Sequence, residues 1–99
     1  MKPVRIALPA SEEFTEAVRW YEAKRAGLGR EFYDAVEHAV DVVREHPEIG
    51  VAVARPHPHR QYLVEGFPYK VIYRERTADL YIVAVAHASR RPGFWRQRR

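Results

Sequence analysis

Three stretches in the second half of the sequence carry side chains able to do chemistry. Residues 55–62, RPHPHRQY, hold two arginines and two histidines. The spacing His57-x-His59 puts both imidazoles on one face of a strand, a geometry open to a metal, but a zinc-type site needs further ligands. No carboxylate stands near them in sequence and Pro58 interrupts strand geometry, so both read as exposed polar residues and no metal is expected. Arg60 is a guanidinium on a strand, the group that grips a phosphate at two points or stabilises charge developing on it; from position alone it reads as a surface arginine. His87 stands where the apolar run LYIVAVA empties into a basic tail. Its ring titrates in the range useful for proton transfer, or bonds to Ser89 or to backbone and sets the exit of the chain, and the second reading is preferred. The third stretch, residues 88–99, gathers Arg90, Arg91, Arg96, Arg98 and Arg99 around Phe94 and Trp95 with no acid. Aromatic rings among arginines suit stacking on bases. They equally suit folding back over the core, and Pro92-Gly93 supplies the turn such a return needs.

Other arrangements are excluded. Gly27 and Gly29 follow a helical pattern, not a strand, and lack the spacing of a phosphate-binding loop. No serine, histidine and acid are spaced as a nucleophilic triad. Trp20, Tyr21 and Glu22 share helical spacing with Phe14 and Val18, so Trp20 and Tyr21 are assigned to the core.

Charge sharpens the third stretch. The chain has 99 residues and a net charge of +4, and taking the five arginines of residues 88–99 from its 17 basic residues leaves 12 against 13 acidic ones. The basicity is a C-terminal property, suited to attracting phosphate or an acidic protein. One domain, residues 1–99, is expected, burying about two thirds of the surface its unfolded chain exposes. Without cysteine there is no disulfide, thiol nucleophile or zinc-thiolate site. MKPVRIALPA has two cations and two prolines and no apolar signal region, so no membrane association is expected and the cytoplasm is the expected compartment.

The elements that must position these groups follow from periodicity. Val4, Ile6 and Leu8 alternate with Arg5 and Ala7 as in a half-buried strand, closed by Pro9. Ser11 is the expected N-cap of a helix with Glu12 and Glu13 in its first turn, and Phe14, Ala17, Val18 and Tyr21 form its apolar stripe, widened by Trp20. Glycines 27 and 29 break it. A second helix restarts near Arg30, presents Phe32, Val36, Ala39, Val40 and Val43 on one face, and ends by His46 ahead of Pro47. Residues 48–58 form a connector with room for an edge strand at VAVA. Strands at 60–64, 69–76 and 80–87, joined by turns at 65–68 and 77–79, make an antiparallel meander. With the first strand beside the last, the expected fold is α+β: a helical hairpin packed on an antiparallel sheet of about four strands, in the order β-α-α-β-β-β.

Read together and in order, EAVRWYEAKRAGLGREFYDAVEHAV, the His-Pro at 46 and 47, FPYKVIY and IVAVAHASRRPGFWRQR resemble the RelE/ParE superfamily of type II toxin-antitoxin toxins, over roughly residues 3–98. The resemblance implies a growth-inhibiting toxin of the plasmid-stabilisation kind, without cofactor. It also implies a cognate antitoxin, a short acidic chain that folds onto the toxin in a hetero-oligomer. RelE-like members cleave mRNA in the ribosomal A site, and ParE-like members poison DNA gyrase without catalysis of their own. Arg60 matches the arginine of the strand before Phe-Pro-Tyr, and Arg90 or Arg91 the arginine after the last strand. Phe94 stands where nucleases of the family place a tyrosine or histidine, and it has no proton to give. The paired lysines of RelE-like nucleases have no counterpart between residues 48 and 60. The ParE-like reading therefore leads, with no enzymatic activity. In it Arg90, Arg91, Phe94, Trp95 and Arg96 form the target-binding end and His87 and Pro92 set its exit angle. The alternative is a ribosome-dependent mRNA endonuclease with Arg60 and Arg90 as cations and His87 as proton carrier. A third reading is a degenerate toxin that only binds its antitoxin.

Overall fold

A short first strand, β1 (Val4–Ile6), runs straight into α1 (Leu8–Lys24), so the first helix begins three residues before the expected cap at Ser11. Extended Ala7 is the N-cap, and the Ser11 N–H already donates to the Ala7 carbonyl at 3.0 Å. Pro9, expected to close the strand, instead occupies the first helical turn, where its missing N–H leaves no bond unmade and its fixed φ is preorganised. Leu8 accordingly leaves the strand pattern and is 72% exposed. The computed structural model describes residues 1–53 and 58–98.

The break between the helices is built around Glu22. Its carboxylate accepts the Gly27 N–H at 3.0 and 3.2 Å and the Gly29 N–H at 3.0 Å. Gly27 caps α2 (Leu28–Glu45) with φ of 89°, a conformation that favours glycine. Gly29 serves differently: it lies inside α2, and a Cβ there would sit 2.8 Å from the Val18 carbonyl oxygen and 2.9 Å from Glu22 Cβ. The helices cross where no side chain fits. α2 closes at His46, whose N–H donates to Val42, with Pro47 next.

The remaining strands are β2 (Val51–Ala52), β3 (Arg60–Leu63), β4 (Tyr69–Glu75) and β5 (Leu80–His87), and the sheet order is β1-β5-β4-β3-β2. The sheet is thus five-stranded and mixed, where about four antiparallel strands were expected: β1 runs parallel to β5, and the other pairs are antiparallel. The edge strand β2 accounts for the count, and as the first of four alternating strands it leaves β5 pointing along β1. Alternation of side chains marks a strand and carries nothing about its direction.

β5 lies between β1 and β4 and is buried from Leu80 to Ala86. A bulge opposite Ile72/Tyr73 leaves Val83 without a partner on β4. One face packs against the hairpin through Ala10, Ala17 and Tyr21 of α1 and Phe32, Val36, Ala39 and Val43 of α2. Tyr73 ties that face to the connector, with its hydroxyl donating to the Pro47 carbonyl at 2.7 Å and accepting the Gly50 N–H at 2.9 Å. Trp20 does not join this core: it is 55% exposed, edge-on to Tyr21 with the Lys24 ammonium 4.6 Å from its ring. The apolar stripe of α1 is narrower than its composition, because Trp20 faces an open groove that it lines with Tyr69 and His87. No helix among the described residues is long and apolar enough to cross a membrane.

Candidate functional site at the end of β5

The chain leaves β5 through a tight turn organised by His87. Its Nδ1 accepts the Ser89 N–H at 3.1 Å and lies 2.7 Å from Ser89 Oγ, while the Arg90 N–H donates to the His87 carbonyl at 3.0 Å. A ring nitrogen that accepts a backbone N–H carries no proton, so the neutral ring holds its proton on Nε2. The ring is exposed, 5.5 Å from Tyr69 in an edge-on arrangement. Burial raises the Tyr69 pKa, with a further upward push from Glu13, and Tyr21 is raised by burial and then by Tyr69. Both phenols stay neutral at ordinary pH.

Beyond the turn, residues 91–98 fold back in successive turns, with the Arg96 N–H on the Gly93 carbonyl and the Arg98 N–H on Trp95. Gly93 takes φ of 81° to make the reversal. Trp95, expected at a contact surface, is 2% exposed and packs with its ring 4.4 Å from that of His59. It is a core residue, because a ring of this size gains most when it closes the otherwise open sheet face. His59, expected to be exposed, is buried by the same contact. Phe94 is half-buried, with the guanidinium of Arg90 3.9 Å from its ring and that of Arg98 5.1 Å away.

Glu13 holds this segment to the body. Its Oε1 accepts the Val85 N–H at 3.1 Å and Arg98 Nη1 at 2.9 Å, Oε2 accepts Arg98 Nη2 at 2.8 Å, and Arg90 approaches to 3.7 Å. Arg98 Nη1 also donates to the Val83 carbonyl at 3.1 Å. β1 pairs with β5 only as far as Ile82. Glu13 and Arg98 thus close with side chains the stretch of β5 edge that β1 does not reach. An open groove of about 570 Å³ follows, lined by Glu13, Glu16, Trp20, Tyr69, His87 and Arg90 among others. Arg91 and Arg96 are exposed and have no ion pair among the described residues.

Arg60 lies elsewhere. Its Nη1 donates to the Gly50 carbonyl at 2.7 Å and to Glu48 at 3.3 Å, bracing the connector. It pairs with Tyr73, whereas His87 pairs with Tyr69. Four residues separate the two registers, about 13 Å along the strands, and β4 lies between them. His87 and Arg90 come together at the turn; Arg60 is not brought to them. The His57–His59 pairing lies outside the described residues through His57, and among those described no three His, Asp or Glu side chains gather as metal ligands. Glu13 was missed from sequence: it reads as a first-turn acid, and nothing local marks its partner 85 residues away.

A hairpin of helices on a mixed sheet, with its polar chemistry gathered where the last strand hands over to a cationic segment, defines a small α+β domain built around one exposed end. The sequence profile of the ParE toxin of type II toxin-antitoxin systems, parDE, matches residues 4–92. The chain belongs to that family. Among solved structures, a chain of the chromosomal ParDE toxin-antitoxin system from P. aeruginosa superposes with a TM-score of 0.62 over 88% of this chain and 96% of that one, at 14% identity, a likeness of fold. Comparison with curated proteins gives no match. The profile match stops before Phe94, Trp95, Arg96 and Arg98.

Proposed function

We propose that this ParE-family toxin arrests growth by engaging DNA gyrase through its C-terminal segment, and that an acidic antitoxin silences it in a hetero-oligomer. The observation carrying the reading is the contrast within that segment. Trp95 and Arg98 are tied into the body, while Arg91 and Arg96 of the same turns are exposed and have no ion pair among the described residues. An anchored backbone with free guanidiniums is preorganised to meet an acidic or phosphate-bearing surface. Arg90 and the open side of Phe94 extend that surface, Trp95 supports it from beneath, and His87 sets its angle.

The nuclease reading lacks its assembled parts. Arg60 is committed to the connector far from His87, and Phe94 offers no hydroxyl.

The test is gyrase supercoiling with purified toxin. Wild type should block supercoiling or accumulate cleaved plasmid, and the double variant Arg91→Ala/Arg96→Ala should lose this about tenfold or more while remaining folded. Gyrase that is indifferent to micromolar toxin, in cells that nonetheless arrest, would overturn the proposal. Fragmented mRNA in those cells would move the target to the ribosome. Absence of arrest would leave only antitoxin binding.

A further inference from the structure

The sheet face turned away from the helices carries a cationic cleft that shares the anchoring residue Arg98, but none of the exposed arginines, with the segment described above. Arg74 of β4 pairs with Tyr81 of β5, and His59 precedes Arg60, the partner of Tyr73. Strand pleating therefore sets His59, Arg74 and Tyr81 side by side on that face. Arg76 and Arg98 complete the lining of a cleft of about 330 Å³.

Its charges are unevenly met. Arg76 donates through Nε and Nη2 to Asp79 at 2.6 and 2.7 Å, its guanidinium lying 4.1 Å from the Tyr81 ring. Arg98 gives both terminal nitrogens to Glu13. Each carboxylate is shared with a second arginine at 3.7 Å, Arg5 on Asp79 and Arg90 on Glu13. Neither carboxylate serves Arg74, whose Nε is shielded from solvent and has no acceptor among the described residues. A shielded donor on a cation without an acceptor is destabilising, and an oxyanion on the terminal nitrogens of the same guanidinium would offset its charge.

We propose that this cleft binds the phosphate group of a nucleotide-sized ligand, with Arg74 as its principal contact. The donors left without an acceptor among the described residues are on the Arg74 guanidinium, Nη1 of Arg76 and Nε of Arg98, and these three residues line the cleft from β4, from the β4–β5 turn and from the returning C-terminal segment. A carboxylate offers two oxygens in one plane, whereas a phosphate presents three or more in a tetrahedron and can meet all three arginines. The volume is at the low end of ligand sites, about 300 Å³, enough for one phosphate-bearing unit. A free nucleotide and one link of a nucleic-acid backbone share this chemistry. The proposal is independent of the gyrase assignment.

The experiment titrates the purified full chain with adenosine monophosphate and, separately, with a short oligothymidylate at low salt. Binding is measured by calorimetry and by NMR of the arginine Nε–H signals. The Arg74 Nε–H signal should shift, and Arg74→Gln should weaken binding about tenfold or more. Arg74→Lys, which keeps charge without the fork, should fall between the two. Equal affinity for both probes assigns the site to a free nucleotide. Tighter binding of the oligomer, with a salt dependence reduced by about one phosphate contact in Arg74→Gln, assigns it to a backbone. Either supports the phosphate site. Failure of both probes to bind at millimolar concentration, or binding that folded Arg74→Gln leaves unchanged, overturns it. If Arg74→Gln does not fold, the Arg74→Lys affinity and the wild-type Nε–H shift decide, and no change in both overturns it.

Discussion

β5 is bounded by two arginine–carboxylate forks of similar geometry and different origin. At its start Arg76 grips Asp79 at 2.6 and 2.7 Å, three residues apart within the β4–β5 turn. Near its end Arg98 grips Glu13 at 2.9 and 2.8 Å, 85 residues apart. The first fork decorates a turn already closed by the Arg76 N–H on the Asp79 carbonyl at 2.8 Å. The second, with Trp95, is what fastens the C-terminal segment to the domain. The same chemical pair is an accessory where the backbone has settled the geometry and a structural tie where it has not.

The comparison breaks most visibly at Trp95. Trp95→Ala removes a 2% exposed ring from the uncovered sheet face and should cost about 3–5 kcal/mol, a fall of more than ~12 °C in Tm. The distant fork should fail with it, so trypsin should cut the C-terminal segment faster than it digests the core. Equal cleavage of both would mean that Trp95 does not anchor the segment.

Glu13→Gln separates the fork from the ring. The amide oxygen can still accept the Val85 N–H, but Arg98, whose side chain is only 18% exposed, loses its anion. The expected loss is about 1.5–3 kcal/mol, the range for hydrogen bonds to charged groups. The gap from wild type should narrow in about 1 M salt, where screening weakens the wild-type pair. A urea midpoint unchanged by the substitution at low salt would sink the idea that this pair holds the segment.

The same contrast accounts for what could be read from sequence. The stripe Phe32, Val36, Ala39 and Val43 repeats within α2 and was legible, as were the meander and the stop at Pro47, because each signal lies within a few residues of its effect. The start of α1 was misplaced because Ser11 is a good cap and Pro9 a good strand end; the parallel pairing of β1, a contact 76 residues away in register at Val4 and Leu80, decided otherwise. His59 reads as polar and exposed until Trp95 is laid against it. The basic segment was visible as a charge cluster, but which of its members are free was not. Arg98 and Arg91 look alike in sequence, and the Glu13 carboxylate and Val83 carbonyl that hold Arg98 tell them apart.

The smallest effect is expected at the local fork, and its pH dependence isolates it. The hydrogen bonds from Arg76 hold the Asp79 carboxyl below its ordinary value of 3.8, aided by the charges of Arg76, Arg5 and Lys2, while partial desolvation opposes them. A carboxyl whose folded pKa is depressed adds stability that is fully present above its unfolded pKa and lost as pH falls through the folded one. Asp79→Asn should therefore be slightly less stable than wild type at neutral pH, and the two urea midpoints should converge as pH drops below about 3.8, the unfolded value. Glu13→Gln measured alongside should show the larger deficit at neutral pH, since no backbone bond between the segment and α1 among the described residues stands in for the lost pair. A deficit in Asp79→Asn equal to that of Glu13→Gln would mean that the turn depends on its fork as much as the C-terminal segment does.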